Sequence, residues 1–203
     1  MHVKICGLDE VGRGALAGSL VACGVILPSS KLNLKDSKKL RTKEREVIYQ
    51  KLIDLGAEYR IEVISTRQIN SRGMGWANKE IFRRLIKKIE ADKFIIDGNL
   101  KMGKLKNKNV KCVIKADTTR KCVMAASIIA KVTRDEYMKK LHEEYVVYGW
   151  NKNAGYGTRE HIEAIKKYGT VKYHRDVWVR TVLRNAPSGP PLSLRGGSKG
   201  GVI

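Results

Sequence analysis

Apolar and polar residues alternate along the chain with two periods, one typical of strands and one typical of helices. Apolar runs with β-branched residues, closed by Gly, Pro or charged residues, predict strands at 3–10, 19–27, 59–64, 93–97 and 110–116. Apolar residues spaced three and four apart predict helices at 42–53, 78–89, 118–144, 158–168 and 173–183. The glycine-containing segments 65–76 and 150–158 are predicted to be loops.

Three of the predicted strands end in acidic residues. Asp9 and Glu10 follow the first strand, Asp97 follows the fourth, and Asp117 follows the fifth. A short buried strand that ends in a carboxylate presents it on rigid backbone, which is a common way to build a metal site. The repetition at three strands favours one shared acidic site over three unrelated surface residues.

The first of these strand ends continues into the bend Gly12-Arg13-Gly14. Neighbouring residues of a strand face opposite sides of the sheet, so Asp9 and Glu10 serve one site only if the strand twists or ends there. The two glycines permit such an ending and let a partner approach the backbone, and Arg13 between them is a candidate phosphate contact. The alternative is that Asp9 and Glu10 form a solvated turn.

The overall charge changes how these acids are interpreted. The chain has 203 residues, a formal net charge of +21 and a pI near 10.0. Such a field attracts polyanions, and nucleic acid is favoured over a membrane because no basic amphipathic segment stands out. A carboxylate cluster is costly unless cations neutralise it, and hard oxygen ligands select Mg²⁺ or Mn²⁺. Two such ions can activate a water molecule for attack on a phosphodiester and stabilise the leaving oxygen. We therefore predict metal-assisted hydrolysis of nucleic acid.

Candidate substrate contacts lie in loops and near the end of the chain. Lys38 and Lys39 are candidate phosphate contacts, with a solvated surface as the alternative. Tyr156, between two glycines, either stacks on a sugar or base or folds onto the core. His174 is predicted to be structural or a substrate contact, because no second histidine is spaced to share a metal with it. Asp135 is predicted to be a surface or ion-pairing residue.

Cysteine usage and the absence of long apolar runs indicate the compartment. The four cysteines form no Cys-x-x-Cys pair and lie in or beside apolar stretches, which favours buried free thiols over a zinc site or disulfides. No signal peptide opens the sequence, and no apolar stretch is long enough for a membrane span. We expect a monomeric cytoplasmic protein.

Composition also divides the chain. We predict a catalytic domain at 1–149 and a C-terminal helical part at 150–185 that carries the Tyr156 loop. Pro, Gly and Ser dominate 186–203, where apolar periodicity ends, so a disordered tail is predicted there.

Several motifs together resemble type 2 ribonuclease H (ribonuclease HII). They occur in that family's order over nearly the whole chain up to about Arg184, and the first motif and the alanine-serine-isoleucine motif are highly specific. The matching segments are Gly7–Gly14, Asp36–Leu40, Ile96–Asn99, Lys115–Asp117, Ala125–Asp135, Gly155-Tyr156 and His174-Arg175.

The resemblance implies an α/β, RNase H-like fold, in which a central mixed β-sheet is flanked by helices and followed by a C-terminal helical part. It implies endonucleolytic cleavage of the RNA strand of RNA–DNA hybrids and incision at ribonucleotides embedded in duplex DNA, with Mg²⁺ or Mn²⁺, leaving 5′-phosphate and 3′-hydroxyl ends. By this similarity, Asp9, Glu10, Asp97 and Asp117 are the metal-binding catalytic acids.

The same resemblance implies the substrate contacts. Backbone groups of Gly12, Arg13 and Gly14 would read the 2′-hydroxyl of the ribonucleotide, and Tyr156 would stack on the sugar of the next, deoxy nucleotide. The other implied substrate contacts are Lys38, Lys39, His174 and Arg175.

The sequence departs from the family pattern at two places. Gly157 replaces the usual proline after the tyrosine, and Asp176-Val177-Trp178 replaces the usual arginine-serine-phenylalanine. A looser tyrosine loop and altered local substrate contacts follow from these changes. The alternatives to a ribonuclease are a non-catalytic basic RNA-binding protein, in which the acids only balance charge, and a different nuclease or integrase-like enzyme on the same fold.

Overall fold

The computed structural model describes residues 3–28, 34, 42–103 and 108–185. Lys38, Lys39 and the predicted tail at 186–203 lie outside the described residues. Within the described part of the chain, no helix has the length and apolar character needed to cross a membrane.

Five strands form one mixed sheet. They are β1 (Ile5–Val11), β2 (Leu20–Ile26), β3 (Glu58–Ile64), β4 (Lys93–Asp97) and β5 (Asn109–Val113). Their order across the sheet is β3-β2-β1-β4-β5, with β1 antiparallel to β2 and parallel to β4. The mixed sheet that the resemblance implies is thus confirmed, and β1 is the central strand.

Eight helices are described, and a 3₁₀ turn at Val146–Tyr148 follows the fifth. The helices are α1 (Thr42–Asp54), α2 (Thr66–Arg72), α3 (Met74–Lys88), α4 (Ala116–Thr119), α5 (Lys121–Glu144), α6 (Trp150–Asn153), α7 (Arg159–Tyr168) and α8 (Asp176–Asn185). The hydroxyl of Thr158 caps α7 by accepting the amide of His161 at 3.3 Å.

Helices cover both faces of the sheet. On one face, Leu8 and Phe94 of the sheet pack with the apolar side of α3. On the other face, Cys23 and Val25 pack against the buried small residues of the first half of α5. All four cysteines of the chain are free, two of them buried and two half-buried.

A third apolar cluster joins the second half of α5 to the C-terminal helices. It includes Leu16 from the loop after β1, Met138 of α5, Trp150 of α6 and Ile165 of α7. Residues from both sides of the predicted boundary after position 149 therefore share one core. The division into a catalytic domain and a helical part stays a prediction.

Two predicted loops contain helices. In the first, Ser65 caps α2: its hydroxyl accepts the amide of Gln68 at 3.3 Å, and the Gln68 side chain accepts the amide of Ser65 at 3.2 Å. This capping box is readable in the sequence, and the loop prediction overlooked it. The second predicted loop begins with the single turn α6.

The segment before α5 also differs from the prediction. β5 ends before it reaches Asp117, and Lys115 adopts a left-handed backbone with φ 57°, after which α4 begins. Asp117 therefore lies in the first turn of a short helix, not at a strand end. Thr118 and Thr119 do not cap α5, because both hydroxyls donate to the carbonyl of Lys115, at 2.9 and 3.2 Å.

The close contact between β1 and α5 depends on Gly7. The backbone of Cys122 and Val123 at the start of α5 occupies the space that a side chain on Gly7 would fill, and a Cβ there would collide with both residues. Any larger residue at Gly7 would therefore push α5 away from the central strand.

We expect Gly7→Ala to lower the free energy of unfolding by about 3 kcal/mol, because a collision with backbone is not relieved by side-chain rotation. The matched control is Gly75→Ala in α3, where a Cβ has nothing within 4 Å. Alanine there should raise stability by up to about 1 kcal/mol. Urea unfolding measures both changes, and similar effects at the two positions would contradict the packing argument.

Candidate active site

The four predicted acids line one cleft at the carboxyl end of β1 and β4. These strands run parallel with Leu8 level with Ile96, so Asp9 and Asp97 extend side by side. The cleft has a volume of about 390 Å³ and is lined by Asp9, Glu10, Val11, Arg45, Asp97, Asp117, Ser127, Lys131 and Tyr156. A larger cleft of about 970 Å³ lies beside the start of β1 and holds none of these acids.

Asp97 holds α4 against the sheet. One of its carboxylate oxygens accepts the amide of Ala116 at 2.7 Å and the amide of Asp117 at 3.4 Å. Asp117 is 1% exposed and reaches the cleft from this helix turn. The sequence thus placed Asp117 in the wrong element but in the same cleft as the other three acids.

Burial changes the acidity of the two β1 carboxyls. Asp9 is 6% exposed. Burial, followed by the negative charge of Glu10, raises the pKa of Asp9 to about 8, and a hydrogen bond with Ser127 partly opposes that rise. Burial also raises the pKa of Glu10 to about 7, against the opposing charge of Arg13. Near neutral pH, Asp9 therefore favours the protonated form and Glu10 is about half protonated, unless a cation compensates their charge.

The carboxyls do not form a ready-made metal centre. Within the described ranges, no three His, Cys, Asp or Glu side chains are placed to hold one metal ion. Strand geometry gives the reason, because Asp9 faces Ser127 of α5 whereas Glu10 faces Asn78 of α3. The donor set still suits a hard divalent cation, since it consists of carboxylate oxygens in one cleft. Asp9, Glu10, Asp97 and Asp117 would be the residues that hold it.

Helix α5 contributes polar residues to which the sequence assigned no site role. Ser127, Lys131 and Arg134 follow at spacings of four and three, so they share one helix face. Ser127 hydrogen-bonds with Asp9, and Lys131 lines the cleft. Lys131 also pairs with Asp135 at 2.7 Å, which confirms the ion-pairing prediction for Asp135. The helical spacing of these three residues was the signal that could have found them.

Arg134 joins the loop after β1 to the loop that carries Tyr156. The guanidinium carbon lies 5.3 Å from the centre of the Tyr156 ring. The guanidinium also donates to three backbone carbonyl oxygens, those of Ser19 at 3.1 Å, Ala17 at 3.1 Å and Ala154 at 2.8 Å. Arg134 is 0% exposed, so this cation is held inside the protein by backbone oxygens.

Arg175 holds the Gly12-Arg13-Gly14 bend from the inside. It is 0% exposed and donates to the carbonyl of Gly12 at 2.6 Å, of Arg13 at 3.1 Å and of Gly18 at 2.7 Å. Burial, and then the charge of Arg134, lowers the pKa of Arg175 to about 9, which leaves it cationic at neutral pH. The implied substrate contact by Arg175 does not fit this placement, because its guanidinium binds the chain's own backbone.

The outer side of the bend is open to solvent. Arg13 and Gly14 are exposed, and the Arg13 side chain, 64% exposed, lies 4.0 Å from the carboxylate of Glu10. An ion pair this exposed contributes little stability, which leaves Arg13 accessible to a phosphate. Gly12 is buried with φ 90°, and a Cβ there would collide with the guanidinium of Arg134.

Tyr156 lies at the rim of the cleft and is half-buried. Two cations lie near the Tyr156 ring: the amine of Lys131 is 5.8 Å from the ring centre, and the guanidinium carbon of Arg134 is 5.3 Å from it. The preceding residue is fixed, because the carbonyl of Gly155 accepts the amides of Leu16 at 2.8 Å and Ala17 at 3.1 Å. Tyr156 therefore lines the same cleft as the acids and is not folded away into the core.

His174 is 1% exposed, and both of its ring nitrogens lie within hydrogen-bonding distance of other groups of the protein. Its Nδ1 accepts the amide of Val171 at 3.0 Å, and its Nε2 lies 3.2 Å from Nε2 of His161. The structural alternative for His174 agrees with this placement, whereas direct contact with substrate does not.

The mixed sheet with flanking helices and acids at adjoining strand ends defines an RNase H-like protein. A family model described as ribonuclease HII matches residues 6–184. The chain belongs to the ribonuclease HII family.

Individual relatives agree with this assignment. Ribonuclease HII of Clostridium botulinum (strain Loch Maree / Type A3) is 40% identical over 189 residues, which is 88% of this chain and 69% of that protein. Ribonuclease HII of the Wolbachia symbiont of Brugia malayi is 42% identical over 176 residues, covering 84% and 85% of the two chains. The crystal structure of ribonuclease H2 from Pyrococcus horikoshii OT3 is similar with a TM-score of 0.74 and 29% identity, covering 90% of this chain and 98% of that chain.

Acid should destabilise the protein through His174. Burial, followed by the neighbouring His161, lowers the pKa of His174 to about 4 from the ordinary 6.5. Below pH 6.5 the unfolded chain binds a proton that the folded chain does not, so stability present above pH 6.5 is lost as the pH falls toward 4. At pH 5 we expect this loss to reach about 2 kcal/mol.

The comparison with His174→Gln isolates this effect, because the raised pKa values of Asp9 and Glu10 change stability in the opposite direction over part of the same range. Urea unfolding at pH 7 and pH 5 gives the pH-dependent loss for each protein. The loss should be smaller in the variant by about 2 kcal/mol. An equal loss in both proteins would show that His174 is not the source.

Proposed function

We propose that the cleft formed by Asp9, Glu10, Asp97 and Asp117 hydrolyses the RNA strand of RNA–DNA hybrids and incises duplex DNA at embedded ribonucleotides. The observation that carries the proposal is that four carboxyls from β1, β4 and α4 line one cleft. Membership of the ribonuclease HII family supports endoribonuclease activity. The products would carry 5′-phosphate and 3′-hydroxyl ends, and the active unit would be a cytoplasmic monomer.

The four carboxyls would hold Mg²⁺ or Mn²⁺, which when bound supplies an activated water and stabilises the leaving oxygen of a phosphodiester. Asp97 orients α4 through its bonds to the amides of Ala116 and Asp117. Ser127 orients the carboxyl of Asp9 by a hydrogen bond. Because burial raises the pKa of Asp9 to about 8, this carboxyl releases a proton when a cation binds.

The proposal assigns recognition of RNA to the bend after β1. Only the 2′-hydroxyl distinguishes a ribonucleotide at a given site. Arg13 and Gly14 are exposed, and the Arg13 side chain lies 4.0 Å from the carboxylate of Glu10, so the backbone of this bend would read that hydroxyl beside the acids. Tyr156 would stack on the following deoxy sugar. The positive charge of the chain favours binding of the duplex, and Lys38 and Lys39 would contact phosphates.

We expect Asp9→Asn to reduce cleavage of a hybrid by about 10³-fold or more, because it removes one of the four carboxylates that line the cleft. Hybrid binding without metal should change by less than about threefold, since phosphate contacts dominate affinity. The control is Asp54→Asn, a carboxylate on α1 that binds Gln50 at 2.9 Å. Near-normal cleavage by Asp9→Asn would refute the assignment.

Chelation distinguishes this proposal from a non-catalytic RNA-binding protein. A duplex with one ribonucleotide should be nicked in Mg²⁺ or Mn²⁺ and should stay intact in EDTA, while binding persists in both. Binding without nicking under any of these conditions would favour the RNA-binding alternative. Cleavage of an all-DNA duplex would instead indicate a different nuclease on this fold.

A further inference from the structure

A buried pair of histidines lies directly behind Tyr156. His161 of α7 is 0% exposed and His174 is 1% exposed. Nδ1 of His161 lies 2.9 Å from the backbone carbonyl oxygen of Tyr156, and its Nε2 is 3.2 Å from Nε2 of His174. The pair therefore connects the tyrosine loop to the segment that precedes α8.

The neighbouring donors fix which nitrogen of each ring carries the hydrogen. Val171 donates its amide to Nδ1 of His174 at 3.0 Å, so the His174 hydrogen is on Nε2 and points toward His161. Nε2 of His161 also accepts the indole N–H of Trp150 at 3.0 Å. Its own hydrogen must then be on Nδ1, where it donates to the carbonyl of Tyr156.

The resulting chain of hydrogen bonds has one direction, from Val171 through His174 and His161 to Tyr156. Its end point is also bound by the amide of Thr158 at 2.9 Å, so the Tyr156 carbonyl accepts two bonds. On the other side of the loop, the amide of Tyr156 donates to the backbone carbonyl of Asn153 at 2.9 Å. The backbone of Tyr156 is thus held on both sides, while the residue lines the cleft that contains the acids.

The segment that carries His174 is itself fixed behind the Gly12-Arg13-Gly14 bend. The amide of Gly18 donates to the carbonyl of Tyr173 at 2.8 Å, and the amide of Arg175 donates to the carbonyl of Leu16 at 2.8 Å. The histidine pair therefore links the two loops to which the proposed function assigns the two sides of an RNA–DNA junction.

We propose that His161, supported by His174, is a positioning residue that sets the distance of the Tyr156 ring from the acidic cleft, and so the preference for substrates with an RNA–DNA junction. This inference rests on the proposed function. His161 acts through one hydrogen bond to the backbone carbonyl of Tyr156, and neither histidine touches the substrate.

The test measures the ratio of kcat/KM for a duplex with one embedded ribonucleotide to kcat/KM for a uniform RNA–DNA hybrid. His161→Leu removes the donor to Tyr156 and should lower this ratio by about three- to tenfold, the effect of one hydrogen bond. His161→Asn places an N–H near the position of Nδ1 and should restore most of the ratio. His161→Gln places its donor near Nε2 and should behave as His161→Leu does, which keeps the test valid if the leucine variant does not fold.

Two further variants distinguish an effect on the position of Tyr156 from a general loss of structure. Tyr148→Phe removes a hydroxyl that donates to the carbonyl of Gly169 at 3.1 Å, in the same aromatic cluster as the two histidines. It should lower stability and leave the ratio unchanged. In a Tyr156→Ala background, His161→Leu should no longer alter the ratio, because the ring it positions is gone.

The outcomes are distinct. If the wild-type protein cleaves neither substrate, the proposed function fails and this inference fails with it. If the wild type cleaves both, and His161→Leu and His161→Gln change both substrates equally or no more than Tyr148→Phe does, only this inference is overturned. Persistence of the His161 effect in Tyr156→Ala would overturn it as well.

Discussion

The contact between α5 and the central strand β1 fixes the geometry of the cleft. Gly7 brings the two backbones together, and the same helix then carries Ser127 to Asp9, Lys131 into the cleft and Arg134 to the loops. These side chains keep their spacing because they project from one regular helix. A displacement of α5 would therefore move all of them at once, and the acids and the loops around them would lose their relative positions.

Two buried cations hold the loops around the site, in addition to the apolar contacts of Leu16. Arg134 and Arg175 are both 0% exposed, and together they bind carbonyls of the loop between β1 and β2 and of the tyrosine loop. Burying an ion costs several kcal/mol unless hydrogen bonds compensate for lost hydration, and charge-assisted bonds to carbonyls provide that compensation. Irregular backbone that lacks strand partners can thereby remain ordered beside a charged cleft.

The sequence predicts the strands and the acidic cleft because both depend on local patterns. Apolar runs mark β1 and β4, and the chemistry of Asp9 and Asp97 repeats at their ends. The helix turn that holds Asp117 was not predicted, because it depends on hydrogen bonds that the amides of Ala116 and Asp117 donate to the distant carboxylate of Asp97. Burial of Arg175 was missed for a related reason: charged residues are normally exposed, and its carbonyl partner on Gly12 is 163 positions away in sequence.

The packing of Arg134 against Gly12 affects how this family's glycine-arginine-glycine motif is studied. The hydrogen atom of Gly12 faces a buried guanidinium, not the solvent side where a nucleotide would lie. Mutagenesis at that glycine would disturb an internal contact before it disturbed any contact with RNA. Loss of discrimination between sugars in such a mutant would then report displacement of a side chain from the neighbouring helix. Gly14, which has open space around it, is the informative position for testing whether this bend reads the ribose as proposed.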